Sequence, residues 1–160
     1  MADIFLKLEG IHGESLDQKH HGEIEIVDFL WGLTNNASFA LTQQDAANNA
    51  KVDNVVVTKY FDKSSVTLAQ FCATGQHIPE GRITCRKNSG DAKLDYLLIV
   101  LKKVMVTDIK WAGKEVAPGA PETVKLSFLQ FKLFYTAQES SGASGHVNEF
   151  GFDVGTHKPI

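Results

Sequence analysis

Apolar and polar residues alternate along most of this chain, and a period of two dominates. In residues 4–8, Ile4, Leu6 and Leu8 share one face, and Phe5 and Lys7 share the other. Gly10 and Gly13 bracket a tight reversal, which Asp17 and the polar run to Gly22 extend. Residues 23–34 read as one long strand whose phase slips. Ile24 and Ile26 fall on one face, whereas Val27, Phe29 and Trp31 fall on the other. A slip inside a strand predicts a β-bulge, which bends a sheet and helps it close. The pattern then vanishes over residues 35–51, a polar stretch rich in Asn, Gln, Ala and Thr. We read it as a loop. A structureless loop this long inside a compact domain is uncommon and is more often functional or flexible. Residues 52–61 resume the alternation, with Val55, Val57 and Lys59 opposite Val56, Thr58 and Tyr60.

The period then changes once. Asp62-Lys63-Ser64-Ser65 offers N-cap groups before residues 66–74, and Gly75 suits the C′ position. Leu68, Phe71 and Cys72 fall on one face at helical spacing. So short a helix needs a sheet to dock on. Residues 82–87 read as a strand, and Asn88-Ser89-Gly90-Asp91 as a hairpin turn. Residues 94–110 form a long strand, or two joined by a bend, and 111–121 form a loop. Residues 122–137 alternate with another phase change: Val124, Leu126 and Phe128 precede Leu129, Phe131, Leu133 and Tyr135. A Ser/Gly-rich loop over 140–145 leads to a last strand near 147–154. The four prolines fall in loops, at a strand start or at the terminus, as a sheet demands.

Six to eight strands with one short helix, and no regular strand–helix alternation, predict a mainly β fold. The expected architecture is an antiparallel β-barrel or sandwich with one flanking α-helix, in a single domain spanning residues 1–160. No internal repeat is visible.

Composition narrows the function classes. At 160 residues the chain is long enough to bury a real core. Hydrophobic content of 43% and charged content of 22% are ordinary for a globular protein. A net charge of −3, without a basic block, gives no footprint for nucleic acid. The longest apolar run, residues 96–101, is far short of a membrane span, so no membrane insertion is expected. Met1-Ala2-Asp3 carries no positive region before the first strand, which predicts no signal peptide. Cys72 and Cys85 are then expected as reduced, inward-facing thiols.

Catalytic signatures are absent: no glycine-rich phosphate loop, no paired Cys-x-x-Cys and no His-Glu-x-x-His. Gly142-Ala143-Ser144-Gly145-His146 approaches a nucleophile elbow, but it lies in a Ser/Gly loop and lacks the strand–turn–helix setting. His20 and His21, with Asp17 and Glu23 near, could suggest a metal. Adjacent histidines at a loop-to-strand junction point to opposite faces, which favours hydrogen bonding over ligation. No cofactor is implied. The Asn36-Ala37-Ser38 sequon matters only on entry to a secretory route.

The order of several segments carries a resemblance. The apolar opening strand, Gly13-Glu14-Ser15, Asp17, His20 and Trp31-Gly32 stand first. Thr58-Lys59-Tyr60-Phe61-Asp62-Lys63-Ser64-Ser65, a short helix and Thr74-Gly75 follow. Tyr96-Leu97, Val104-Met105-Val106-Thr107, Glu122 ahead of Val124-Lys125-Leu126-Ser127-Phe128, and Tyr135 complete the series. Nearly end to end, the chain resembles the Hcp (hemolysin-coregulated protein) family, the tube subunits of type VI secretion. Val66 stands where many members have Pro, Phe152 where many have Trp, and Leu30 where several have Ser or Ala.

The resemblance implies a non-enzymatic structural subunit. It would form homo-hexameric rings that stack into a tube, with a spike protein at the tip, a contractile sheath outside and effector proteins in the channel. The subunit would assemble in the cytoplasm and leave by the secretion machine itself. The candidate ring and stacking residues are Leu41, Thr42, Gln43, Gln44, Asp45 and Asn48 in the polar stretch, with Glu14 and Ser15 in the turn. Glu14 and Ser15 can equally hydrogen-bond the turn's own backbone. Leu30 is the candidate channel-lining residue. Trp31, Phe29 and Phe71 read as core. A rival of another class is a monomeric β-barrel binding a small ligand inside. That rival needs small or polar inward residues, whereas this chain offers mostly Val, Ile, Leu and Phe.

Overall fold

The computed structural model describes residues 3–89, 92–113, 119–140 and 144–160. Its frame is an antiparallel meander of long strands: β7 (His77–Ser89), β8 (Ala92–Trp111), β9 (Pro121–Gln138) and β10 (Ser144–Asp153). The opening strand β1 (Ile4–Leu8) pairs with β7, which sets Ile4 opposite Cys85 and Leu8 opposite Gly81. At 18 residues β9 is long enough to serve two neighbours along one edge. Its first part pairs with β6 (Val55–Tyr60) and its last part with β10, while β8 takes the other edge.

One short segment joins the two sides of this sheet. β2 (Ile24–Glu25) pairs with β1, and β3 (Asp28–Leu30) pairs with β6. Between them, the Ile26 N–H donates to the Ile4 carbonyl and the next N–H, Val27, donates to the Thr58 carbonyl. Consecutive amides thus bond opposite edges, and the pairing runs round through β1, β7, β8, β9 and β6. Inside lie Leu6, Ile24, Val55, Val57, Ile83, Leu101, Val104, Val106, Val124 and Leu126, all essentially inaccessible. The chain forms the mainly β, antiparallel barrel or sandwich fold expected from the pattern.

Several details depart from the sequence reading. The expected continuous strand over 23–34 is three short ones: β2, β3 and β4 (Leu33–Asn35). Its phase slip marks a change of pairing partner rather than a bulge. The expected loop over 35–51 contains a six-residue helix, α1 (Gln43–Asn48), and most of β5 (Ala50–Val52). The described residues therefore hold two helices and eleven strand segments, not one helix and six to eight strands. The second helix, α2 (Lys63–Thr74), begins three residues earlier than its apolar spacing indicated, because it opens on polar residues, of which Ser64 and Ser65 are buried. Pro79 lies inside β7 rather than in a loop. Opposite it the ladder omits Lys103, which takes φ 55°. A residue without an N–H and a residue outside the β region leave the same gap from two sides.

The β7–β8 hairpin closes with Ser89 opposite Ala92, as expected, although Gly90 and Asp91 lie outside the described residues. So do 114–118 of the loop before β9, and 141–143, which include part of the near-elbow sequence. The chain ends on β11 (Lys158–Pro159), paired with β10. Both cysteines are free; Cys85 is buried, which raises its thiol pKa, and Cys72 is half-buried.

Candidate functional site

From Leu33 to Val52 the chain leaves the barrel as an arm. β4 and β5 pair only with each other, as a two-stranded ribbon with Leu33 opposite Val52 and Asn35 opposite Ala50. α1 sits beyond the ribbon. Thr42 is its N-cap: the Thr42 hydroxyl accepts from the Asp45 N–H at 3.1 Å and donates to the Asp45 carboxylate at 2.8 Å. The Asn35 amide then donates to the Ala46 carbonyl at 2.8 Å, which ties the helix back to the ribbon. A six-residue helix cannot persist alone in water, so these bonds give the arm its shape. The one sequence signal for α1 was Thr42-x-x-Asp45, an N-cap hydroxyl with an acidic residue in the first turn.

The base of the arm is fastened to the barrel by Trp31. Its indole packs edge-on against Phe131 at 4.8 Å between ring centres, and against Phe128 at 6.0 Å. Its N–H donates to the Asp53 carbonyl at 2.9 Å, across the two ends of the arm. Trp31 is therefore core at one end and clamp at the other. Phe29 is half-buried against the core, and Phe71 is buried in it, as expected.

All the arm residues singled out from sequence stand exposed: Leu41, the Thr42 cap, and Gln43, Gln44, Asp45 and Asn48 on α1. No residue of α1 is buried. Phe39, which no local pattern marks, is fully exposed on the arm. Leu33 and Leu41 are also exposed. Leu30, at the end of β3, is 74% exposed. Exposed aromatic and aliphatic side chains on a shaped projection form a surface suited to burial against a partner.

The Gly13-Glu14-Ser15 turn has a different part. A Cβ on Gly13 would lie 2.4 Å from the Glu23 carbonyl oxygen, so only glycine lets the segment cross here. Ser15 is buried, and its hydroxyl accepts from the Asp17 N–H at 3.2 Å, within the turn's own backbone. Glu14 instead reaches across to α2, where its carboxylate accepts from the Lys63 N–H at 2.9 Å. A carboxylate at a helix N-terminus satisfies a free amide and complements the dipole.

Below that helix start lies a buried polar cluster. Lys59 and Glu122 face each other across β6 and β9, and both side chains are fully inaccessible. The Lys59 ammonium donates to the Tyr60 carbonyl, Asp62 and Ser65 at 3.0 Å each, and to Glu122 at 3.4 Å. The Ser65 hydroxyl donates to Glu122 and accepts from the Asp62 N–H, while Asp62 caps Ser64. Every member holds another, and together they lock α2 onto the barrel. Lys59, Ser65 and Glu122 are closed to solvent, and only Asp62 at the helix start is partly exposed.

On the outer side of β1 the segment over residues 12–23 folds back across Phe5. Asp17 binds Arg86 through both oxygens, at 3.0 and 2.6 Å. That bond holds the Asp17 carboxyl well below the usual carboxylate range and raises Arg86. His20 is buried and His21 exposed, as their opposite facings implied. Among the described residues no group of three His, Cys, Asp or Glu is placed to hold a metal ion. Among the described residues no helix is long and apolar enough to cross a membrane.

Comparison with known proteins identifies this arrangement. A family model described as type VI secretion system effector, Hcp, matches residues 5–135. The protein hcp1 of Pseudomonas aeruginosa is 32% identical over 154 residues, covering 96% of this chain and 95% of its own. The crystal structure of Hcp1 from Salmonella typhimurium superposes with a TM-score of 0.83 at 32% identity, over the whole of both chains. A type VI secretion system effector from Yersinia pestis gives 0.76 at 31% identity, over 95% of this chain and 100% of its own. This chain belongs to the Hcp family of type VI secretion system proteins.

Proposed function

We propose that the chain, one Hcp-like domain over residues 1–160, is a structural subunit of the type VI secretion inner tube. Six copies close head to tail into a ring, and rings stack face to face. A heterologous interface closes when its rotation divides the circle, and complementary ring faces then continue the stack. The arm carries this reading. It is clamped at Trp31 and Asp53, shaped by its own hydrogen bonds, and offers a fully exposed Phe39 with Leu33 and Leu41 partly exposed beside it. Leu41, Thr42, Gln43, Gln44, Asp45 and Asn48 are its contact residues, with Glu14 and Ser15 fixing the neighbouring turn.

Leu30 is assigned to the channel wall, where an exposed leucine makes the lining more apolar and favours effectors with apolar surface. A spike protein at the tip, a contractile sheath outside and effectors in the channel complete the set of partners. The subunit assembles in the cytoplasm and leaves through the secretion machine itself. Its work is mechanical rather than enzymatic. The rival ligand-binding barrel is less favoured, because most inward positions are filled by Leu, Ile and Val side chains.

Size-exclusion chromatography with light scattering tests the reading. The expected mass is six times that of the monomer, and a monomer at high concentration contradicts it.

A further inference from the structure

Phe5 faces out of the barrel yet is 1% exposed. Two groups cover it. The His20 ring stacks on it at 4.5 Å with planes 11° apart, and the Arg86 guanidinium sits 4.9 Å from its centre. Both coverings depend on the segment over 12–23. Asp17 holds Arg86, and His20 itself is tied at both ring nitrogens. Nδ1 lies 2.9 Å from the Glu23 carboxylate, and Nε2 lies 3.2 Å from that of Asp95 on β8. The His20 residue is 7% exposed.

A neutral imidazole has one N–H and one bare nitrogen, and an ionised carboxylate only accepts. With a carboxylate at each nitrogen, the neutral ring always sets one lone pair against another. Only the doubly protonated ring satisfies both contacts. Asp95 depends on this: its other oxygen is buried without a hydrogen-bond partner among the described residues. The charged groups around the ring are mixed. Asp17, Lys19 and Glu23 come from the same segment, Lys7 from β1, Arg82 and Arg86 from β7, and Asp95 from β8, with Lys93 beside Asp17. β9 contributes only Phe134 and Thr136.

We propose that His20 is a proton-operated clasp that fastens the segment over 12–23 to β8. Protonated, it bridges Glu23 and Asp95 and closes over Phe5. Deprotonated, it keeps the shorter bond to Glu23 and releases Asp95. The Asp17–Arg86 bond does not respond over the same range, since both partners stay charged, so the segment remains anchored at that end and opens at the other. Opening uncovers Phe5 and widens a surface cleft of about 390 Å³ lined by Lys7, Arg82, Thr84 and Leu98.

Amide hydrogen exchange at about pH 6 and about pH 8.5, which bracket imidazole titration, tests this once rates are corrected for intrinsic exchange. Protection over 12–23 should fall roughly tenfold at the higher pH while β8 and β9 stay unchanged, the size expected for losing one charge-assisted bond. In Asp95→Asn the amide can donate to the bare nitrogen, so protection should hold at both pH values. His20→Gln should lower protection equally at both. Equal corrected protection in the unaltered protein at the two pH values overturns the clasp. So does an Asp95→Asn variant that loses protection with pH as the unaltered protein does. The Asp95→Asn comparison stands even where His20→Gln fails to fold.

Discussion

The Trp31 indole N–H donates to the Asp53 carbonyl at 2.9 Å, bridging the two ends of a 22-residue separation. The Asp53 N–H returns a bond to the Gly32 carbonyl at 3.0 Å. The arm therefore leaves the barrel through a closed neck rather than as a slack loop. Closing a loop has an entropic cost, and here packing of Trp31 on Phe131 and Phe128 offsets it.

Trp31→Phe keeps an aromatic ring against Phe131 and removes the neck bond. The loss should be about 1 kcal/mol, confined to the arm. Exchange of amides 33–52 should quicken while the far-ultraviolet circular dichroism of the barrel is unchanged. A global loss of cooperativity would show that Trp31 serves the core alone.

Lys59→Met leaves the Glu122 carboxylate buried with only Ser65 to bind it. Breaking a buried pair in this way costs about 3–5 kcal/mol, so the melting temperature should fall by roughly 10 °C. Adding Glu122→Leu removes the stranded charge and should recover part of that loss. A double variant less stable than Lys59→Met would mean that the cluster's remaining hydrogen bonds matter more than the charge.

Asp17→Asn removes the carboxylate bound to Arg86. Because Arg86 holds the folded-state carboxyl below its usual range, the stabilisation is fully present above the unfolded value near about pH 4 and is lost as pH falls beneath it. The melting temperature of Asp17→Asn should therefore lie below that of the unaltered protein at pH 7, by roughly 3 °C or more, and the gap should narrow in acid. A gap of the same size at pH 7 and in strong acid would contradict this assignment.

Leu30→Ser changes a side chain that is 74% exposed in the subunit. Subunit stability should stay within about 0.5 kcal/mol, while retention of effector cargo in pull-downs should change. A melting temperature lowered by many degrees would place Leu30 in a packed environment instead.

What could be read from the chain and what could not divide along physical lines. The alternation at Val55, Val57 and Lys59 gave the inward face of β6, and Lys59 follows that phase even as a charged residue. Its partner Glu122 sits 63 positions away, and nothing local announces the pairing. The slip between Ile26 and Val27 was visible, yet a strand that changes neighbours leaves the same pattern as a bulge. α1 has no buried face, so hydrophobic spacing could not reveal it, and only its Thr42 cap was written in the sequence. Glu14 and Ser15 were legible as a pair but separate in space: Ser15 turns into its own loop, and Glu14 reaches α2.

Negative-stain microscopy of the purified protein, beside a variant lacking residues 43–48, tests whether the chain builds rings through its arm. Six-fold rings are expected from the unaltered chain, and far fewer from the variant, whose barrel still folds. A field of single subunits from the unaltered chain, or an undiminished ring population without the arm's helix, would contradict it.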